Sequence, residues 1–391
     1  MICVGIDVSK DKHDCCIFSS DGQLLLKPFS VPNNRDGFDS LYSAIRSFEN
    51  DPDKVKVGLE ATGHYSFNIL GHLLEKGIHC FVFNPLHTNL YRKSLTLRKT
   101  KTDKVDSKII AKMLLSEVDL KPYSKTLYHN EQLKSLSRYR FSKIRERGNL
   151  KQQLARLVNI LFPELENLVP SLHLSSVYAL LEEFPGASYV AKAHITRLSN
   201  LLCASSKGHY KKDKAVEIRN AASSSVGSVM PAKSLELKHT IQLIRILSEE
   251  IDEIESQIQE IMEKIQSPIT SIPGLGFRMA AMILSEIGDF SKFDSPDKIL
   301  AFAGISPSTY QSGKLDNAYA HMEKRGSRYL RYALYNAAIY VCHWDKTFSV
   351  YLQKKRAEGK HYYVALSHAI KKLVRVIYRL QLTGEPYRPA V

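Results

Sequence analysis

The segment KVKVGLE at residues 54–60 is a short run with strand character that ends on a carboxylate, and VGID at residues 4–7 has the same form. Two further strand-like runs lie between them, at residues 14–18 and 24–31, and the turn sequence SSDG separates those two. Apolar and β-branched runs bounded by turn residues are typical of strands. The sequence therefore predicts three consecutive strands joined by hairpin-type turns, with a fourth strand farther along.

The rest of the first 90 residues alternates between helix and strand patterns. A helical pattern covers residues 36–48, another passes through residues 72–74, and a strand is predicted at residues 78–83. Three hairpin strands followed by helix, strand, helix and strand is the order of a ribonuclease-H-like α/β layer. We expect such a domain over residues 1–125.

The middle of the chain, residues 126–267, is predicted to be helical, with a Ser/Gly-rich linker near residues 221–230. After that linker, apolar residues recur at alternating spacings of three and four, which predicts a coiled coil or a long antiparallel helix pair. The residues of this seam are Leu237, Thr240, Ile244, Leu247, Ile251, Ile254, Ile258, Ile261 and Ile265. Its partner is either the helix predicted over residues 131–161 or a second copy of the chain.

A mainly helical C-terminal unit is expected over residues 268–391. It begins with SIPGLGFRMAAMILSEIGDF at residues 271–290, a pattern similar to a helix-hairpin-helix. The glycines of such a turn let backbone N–H groups approach a phosphate, but tight helical hairpins also use them for packing alone. Both interpretations stay open at this point.

Positive charge is concentrated in two blocks of the chain. The formal net charge is +15, and residues 91–160 hold 18 Lys and Arg against 6 Asp and Glu. Residues 320–391 hold 14 against 4. Such blocks favour a polyanionic partner, although solvated helical faces would have the same composition.

Membrane attachment and cysteine chemistry are disfavoured. No apolar run approaches the roughly 20 residues that a membrane span requires, and the N-terminus turns charged before a signal-peptide core could form. We therefore expect a cytoplasmic protein that associates with the nucleoid when active. The six cysteines lack CxxC spacing, which argues against a zinc site or a disulfide framework.

Four carboxylates have positions that suggest a metal site. Asp7 and Glu60 each end an apolar strand, where an unpaired buried charge would be costly and a divalent cation would remove that cost. Asp103 and Asp106 are three residues apart, so they face the same way on a helix. Any one of these acids alone is an ordinary surface charge, but together they predict a site for Mg²⁺ or Mn²⁺.

The motifs around these acids resemble a known family. GIDVSK, GLEATGHYS and RKTKTDKVDSKIIA are similar to the DEDD domain of the insertion-sequence one-ten transposases, which are relatives of the Piv DNA invertases. SIPGLGFRMAAMILSEIGDFSKF, LAFAGISPSTYQSGK and KRGSRYLRYALYNAA resemble the second conserved domain of that family. The six motifs occur in the family's order.

The resemblance implies a fold and a chemistry. It makes Asp7, Glu60, Asp103 and Asp106 the acids of a RuvC-like Mg²⁺ site, and it makes Ser312, in YQSGK, a serine nucleophile that forms a phosphoserine link to DNA. It also implies donor DNA, target DNA and a structured guide RNA, the bridge RNA, as partners. Because Ser312 follows the acids by about 200 residues, we expect a site shared between subunits of a dimer or tetramer.

Basic residues beside these motifs are candidate nucleic-acid contacts. They are Lys324, Arg325, Arg328 and Arg331 in KRGSRYLR, and Arg98, Lys99 and Lys101 in RKTKTD. Ser327 is a second candidate nucleophile, ranked below Ser312. Two other functions stay open: a RuvC-like junction resolvase that uses water as nucleophile, and a non-enzymatic protein that binds DNA or RNA.

Overall fold

The structure is a computed structural model that describes residues 1–60, 65–83, 85–95, 103–116, 122–123, 125–306, 311–312, 315–316 and 322–389. Of residues 86, 95, 103–104, 125–130, 311–312 and 315–316 it describes the backbone alone. The chain divides into two compact units, Met1–Glu131 and Gln132–Val391. The domain boundaries expected after residues 125 and 267 stay predictions. Among the described helices, none combines the length and apolarity needed to cross a membrane.

A five-stranded mixed sheet forms the centre of the first unit. Its strands are β1 (Ile2–Val8), β2 (Lys12–Ser19), β3 (Leu24–Pro32), β4 (Val55–Glu60) and β5 (His79–Phe83). Their order across the sheet is β3-β2-β1-β4-β5. The strands β1, β2 and β3 are antiparallel neighbours, whereas β1, β4 and β5 run parallel. The prediction of a mixed α/β unit is confirmed.

Helices cover both faces of this sheet. They are α1 (Arg35–Arg46), α2 (Ser66–Glu75), α3 (Pro85–Leu95) and α4 (Asp103–Ser116). Alternate residues of β1, including Val4 and Ile6, pack in one hydrophobic cluster with α1 and α2. Cys3, on the opposite face, packs with the apolar residues of α4. Because side chains alternate along a strand, Asp7 belongs to the face that α4 covers.

Two glycines allow α4 to lie directly on the strands. A Cβ added at Gly5 of β1 would lie 2.0 Å from the backbone oxygen of Ser107 and 2.6 Å from the backbone nitrogen of Ala111. A Cβ added at Gly58 of β4 would lie 2.8 Å from Ile110 Cγ2. The close approach of α4 to β1 therefore depends on the missing side chain at position 5.

The second unit is mainly helical. From residue 125 onward the helices are α5 (Lys125–Leu161), α6 (Leu165–Leu168), α7 (Ser175–Glu183), α8 (Ala187–Lys192), α9 (Ile195–Ser205), α10 (Lys212–Ser223), α11 (Pro231–Ile265), α12 (Phe277–Ile287), α13 (Pro296–Phe302), α14 (Arg328–Trp344), α15 (Lys346–Ala357) and α16 (Tyr362–Thr383). Two-residue strands β6 (Gln311–Ser312) and β7 (Leu315–Asp316) pair antiparallel. The expected linker near 221–230 overlaps the end of α10 and is non-helical after residue 223.

The long helices α5 and α11 are antiparallel neighbours. The ion pairs Arg140–Glu255 (2.6 Å) and Lys143–Glu250 (2.7 Å) join them, and Gln153 donates to Glu236 over 2.9 Å. Residue numbers rise along α5 as they fall along α11. The structure thus pairs α11 with the helix that the sequence offered as one candidate, while a coiled-coil geometry stays a prediction.

The predicted seam of α11 is buried over most of its length. Its members from Leu237 to Ile258 are buried, but Ile261 is only partly buried and Ile265 is 40% exposed. Met262 is buried in their place. An α-helix has 3.6 residues per turn, so a strict heptad stripe drifts around it and leaves the interface near the helix end.

Candidate active site

Asp7 and Glu60 lie side by side at the end of two parallel strands. In the parallel ladder, Ile6 of β1 pairs with Leu59 of β4, and each carboxylate is the next residue along its strand. Both side chains therefore point to the face that α4 covers. The sheet thus places the two predicted strand-end acids together.

Asp106 joins them from the first turns of α4. It lines the same cavity as Asp7 and Glu60, and its side chain is 14% exposed. Asp103 is the first residue of α4, three positions earlier, but its side chain lies outside the described residues. The structure therefore brings together three of the four predicted acids, and the fourth stays a prediction.

The cavity also includes residues that the sequence did not single out. It has a volume of about 380 Å³, and α3 contributes Thr88, Asn89 and Arg92 to its lining. Arg92 Nη1 lies 3.4 Å from Asp106 Oδ1, and Arg92 Nη2 donates to Asn89 Oδ1 over 2.8 Å. A guanidinium group therefore pairs with one of the carboxylates.

The donor set suits a hard divalent cation. Carboxylate oxygens are the ligands that Mg²⁺ prefers, and Asp7, Glu60 and Asp106 offer them to one cavity. Among the described side chains, however, no group of three or more His, Cys, Asp or Glu is arranged to hold a metal ion. The three carboxylates therefore have the right chemistry for a divalent cation. One of them, Asp106, is already bonded to the cationic side chain of Arg92.

A fifth carboxylate lies beside Asp7 on β2. Asp14 is the cross-strand partner of Asp7 and is 2% exposed. Ser30 donates to Asp14 Oδ1 over 2.5 Å, and Lys12 Nζ lies 3.1 Å from Asp14 Oδ2. Cross-strand partners face the same side of a sheet, so Asp14 adds negative charge next to Asp7, compensated by Lys12 and Ser30.

The predicted nucleophile lies in the second unit. Ser312 ends β6, and its backbone pairs antiparallel with Leu315 of β7. Its side chain lies outside the described residues, so its role stays a prediction. Arg98, Lys99 and Lys101 also lie outside the described residues.

The four predicted contacts in KRGSRYLR differ in their surroundings. Lys324, Arg325 and Arg328 are exposed, as a contact with nucleic acid requires. Arg331 Nη1 instead donates to the backbone oxygens of Ala303 (2.9 Å) and Lys324 (3.3 Å). Arg331 therefore also connects the end of α13 to the backbone at Lys324. The role of all four residues in binding stays a prediction.

Ser327 has a structural environment. Its hydroxyl caps α14 by accepting from the Leu330 N–H (3.1 Å) and donates to Glu286 Oε2 (2.6 Å). Arg138 holds the same buried carboxylate with two bonds of 2.6 and 3.0 Å. The ranking of Ser327 below Ser312 as a nucleophile agrees with these contacts.

Glycine packing explains the turn that resembles a helix-hairpin-helix. Gly274 has φ of +85°, and a Cβ there would lie 2.6 Å from the backbone oxygen of Tyr340 in α14. A side chain at this position would be excluded by both backbone conformation and space. Of the two interpretations of this turn, packing therefore has direct support.

Comparison with known proteins places this chain in a family. A family model of DEDD transposases, described as a transposase, matches residues 4–163, and a model described as transposase of the IS116/IS110/IS902 family matches residues 266–353. Together they cover more than half of the chain. The chain belongs to the IS110 family of transposases. It is therefore an enzyme of DNA transposition and recombination, and the resemblance inferred from the motifs is confirmed.

Relatives of this IS110-family transposase match along its whole length. The 44.8 kDa protein of insertion element IS116 from Streptomyces clavuligerus is 24% identical over 394 residues, covering 100% of this chain and 96% of that protein. The 42 kDa protein of insertion element IS900 from Mycobacterium paratuberculosis is 22% identical and covers 99% and 97%. The pilin gene-inverting protein of Moraxella bovis is 22% identical and covers 98% and 97%.

Sequence reasoning missed the part of this IS110-family site that α3 supplies. Thr88, Asn89 and Arg92 lie in a helix with no recognisable motif, and nothing in its sequence indicated which face meets the strands. For the carboxylates a further signal was available, because both follow a glycine by two positions, in Gly5–Asp7 and Gly58–Glu60.

Proposed function

We propose that this transposase is an RNA-guided DNA recombinase that cuts and rejoins DNA strands through a phosphoserine intermediate. The observation that carries the proposal is the meeting of Asp7, Glu60 and Asp106 around one cavity. The strand order β3-β2-β1-β4-β5, with three antiparallel strands followed by parallel ones, supports a RuvC-like domain. Such domains act on phosphodiesters with carboxylate-bound cations.

We assign the cation site to Asp7, Glu60, Asp103 and Asp106. Mg²⁺ or Mn²⁺ bound there would neutralise charge on the attacked phosphate. The carboxylates themselves orient the site, because Asp7 and Glu60 are fixed by the ladder of β1 and β4 and Asp106 by the contact of α4 with Gly5. Such pre-organisation lowers the cost of assembling the reacting groups.

Ser312 is the proposed nucleophile. In the step that it performs, a bond forms between Ser312 Oγ and phosphorus, the bond from phosphorus to the 3′ oxygen breaks, and the serine proton passes to that oxygen. The energy of the broken link is kept in the phosphoserine, so a second 3′ hydroxyl can reverse the step on another strand. We further propose a site shared between subunits of a dimer or tetramer, and the separation of about 200 residues between the acids and Ser312 supports it.

A guide RNA, together with donor and target DNA, is the proposed partner set. The excess of basic residues in 91–160 and 320–391 is compatible with a large polyanionic surface. The exposed Lys324, Arg325 and Arg328 are the proposed phosphate contacts within the described part of the second block. The RNA itself is inferred from the family resemblance.

The proposal is tested by matched serine variants. The wild-type chain is incubated with Mg²⁺, with DNA from the ends of the insertion element that encodes it, and with RNA transcribed from the DNA flanking its gene. It is expected to form a covalent protein–DNA adduct and joined products. Ser312→Ala should abolish both, whereas Ser327→Ala should keep the adduct and lose about 1 kcal/mol of stability with its helix cap. Denaturing gels detect the adduct, and phosphoserine is identified by mass spectrometry.

Three results would contradict the proposal. Strand cleavage that survives Ser312→Ala would indicate a junction resolvase that uses water. Cleavage that survives Glu60→Gln and Asp106→Asn would exclude the carboxylate site, and complete absence of cleavage by the wild-type chain with its DNA and RNA would favour a binding protein.

A further inference from the structure

We propose that Arg92 holds Asp106 in the metal-free protein and binds a phosphate oxygen of the DNA once a divalent cation takes that carboxylate. Arg92 would then be a catalytic residue of the site, beyond the four acids and the serine. This inference rests on the proposed cation-dependent reaction at Asp7, Glu60 and Asp106, and it concerns the substrate phosphate.

The position of Arg92 carries the first step of the argument. Its side chain is 23% exposed and lines the cavity that the carboxylates share. Of the residues described as lining that cavity, Arg92 is the one with a cationic side chain, against three carboxylates. A phosphate entering this cavity would therefore meet three carboxylates and, among the described lining residues, one cationic group.

The contacts of Arg92 show which of its bonds is held more closely. Asn89, one turn earlier on α3, accepts from Nη2 over 2.8 Å, whereas the contact of Nη1 with Asp106 is 3.4 Å long. Bonds near 2.9 Å are normal for N–H donors, and longer ones are weaker. Asn89 thus anchors the guanidinium at the cavity wall, and its bond to Asp106 is the one that is more easily exchanged.

Charge balance explains why the exchange would depend on a cation. A divalent cation bound to Asp106 repels the guanidinium a few Å away and draws electron density from the carboxylate, so cation binding weakens the pair between Arg92 and Asp106. The freed planar fork suits phosphate, since guanidinium groups bind phosphate oxygens with two parallel N–H donors. A lysine at this position would offer a point charge without that geometry.

The test measures cation affinity and DNA cleavage separately. Calorimetric titration with Mn²⁺ alone should show that Arg92→Gln binds Mn²⁺ more tightly than the wild type, by roughly tenfold, the scale on which neighbours of metal ligands alter affinity. Lys93→Gln removes the same charge from the exposed next position of α3 and should leave Mn²⁺ affinity unchanged. Circular dichroism checks that the variants fold alike.

Cleavage of the element's DNA at saturating Mn²⁺ should change in the opposite direction. Arg92→Gln should slow it by roughly a hundredfold, as expected for loss of one group that stabilises transition-state charge. Arg92→Lys should restore only part of that rate. Tighter Mn²⁺ binding combined with slower cleavage is the signature of the exchange, because loss of a positive charge alone would strengthen Mn²⁺ binding without slowing cleavage.

Other results would overturn the inference. Unchanged or weaker Mn²⁺ binding by Arg92→Gln would show that Arg92 does not compete for the carboxylates. Tighter binding with wild-type cleavage would show that it does not touch the phosphate. If the wild-type chain binds no Mn²⁺, or if Glu60→Gln binds and cleaves normally, the proposed cation site itself is wrong, and Arg92 has no role in it.

Discussion

Adding one methyl group at Gly5 should displace the helix that carries Asp106. In Gly5→Ala the new Cβ would lie 2.0 Å from the Ser107 backbone oxygen, while ordinary contacts begin at 3.4 Å. The backbone of α4 or of β1 must therefore retreat by about 1.4 Å. The two nearest atoms, the Ser107 oxygen and the Ala111 nitrogen, both belong to the backbone of α4. A change of side-chain rotamer therefore cannot relieve the strain.

The expected cost follows from these contacts. Overpacking a close-packed core costs about 1–3 kcal/mol, and contacts with backbone atoms place Gly5→Ala at the upper end of that range. Replacing glycine returns about 0.4–1 kcal/mol through the unfolded chain, which leaves a net loss of about 2 kcal/mol. Gly58→Ala should cost less, because its new Cβ would meet the side-chain ends of Ile110, Phe83 and Leu114 at 2.8–3.1 Å.

Gly148→Ala is the matched control. Gly148 lies within α5, and a Cβ there would meet nothing within 4 Å. Alanine in place of glycine inside a helix should stabilise the protein by about 0.5–1 kcal/mol. The series therefore runs from clear loss at Gly5 to gain at Gly148 for the same chemical change.

Hydrogen exchange of peptides from β1 and α4, followed by mass spectrometry, measures the effect in the first unit. The single tryptophan, Trp344, lies in the second unit, so its fluorescence during urea unfolding serves as an internal reference that Gly5→Ala should not alter. Slower cleavage should accompany faster exchange, since Asp106 moves with α4. Wild-type exchange in Gly5→Ala, or a larger effect at Gly58, would refute the packing argument.

Two further predictions concern buried charges and protons. Glu286→Ala should cost about 2 kcal/mol in urea unfolding followed by Trp fluorescence, because it removes the buried carboxylate that Arg138 holds with two bonds. The loss is smaller than for a fully buried ion pair, since the Arg138 side chain is 42% exposed. Glu253→Ala, at an exposed position of α11, should be neutral, and equal effects would contradict this reasoning. Burial lowers the pKa of His13 below its usual 6.5. The neutral ring is then favoured in the folded chain, so the unfolding free energy of the first unit should fall as pH drops below about 6.5. The fall should be at most about 1.4 kcal/mol per pH unit. Hydrogen exchange at pH 5 and pH 7 measures this slope, and His13→Phe should flatten it. An unchanged slope would be inconsistent with a neutral buried ring.

The sequence predicted the sheet well because its signals are local. The strands from β1 to β5 are short apolar runs bounded by turn residues, and each boundary differs from the prediction by only a few residues. The strand-end carboxylates were predicted for the same reason, since Asp7 and Glu60 interrupt apolar runs. The topology then followed from the order of helices and strands.

The parts that escaped prediction depend on distant contacts. Arg92 reaches the site because α3 packs against α4. The pairing of Asp14 with Asp7 depends on the register of β1 and β2. Helix periodicity predicted the α11 stripe but not its end, because a strict heptad stripe drifts around a helix of 3.6 residues per turn. Ser312 was assigned from the family's motif, and a serine before a glycine has no local signal of its own.

The carboxylate row has a physical consequence for the whole first unit. Asp14, Asp7 and Glu60 lie on neighbouring strands with their side chains on one face, where like charges directly opposite each other destabilise a sheet. Lys12 and Ser30 relieve Asp14, and Arg92 relieves Asp106. Folding alone gives no reason for acids at these neighbouring positions, so their presence supports the proposed chemistry at the cavity.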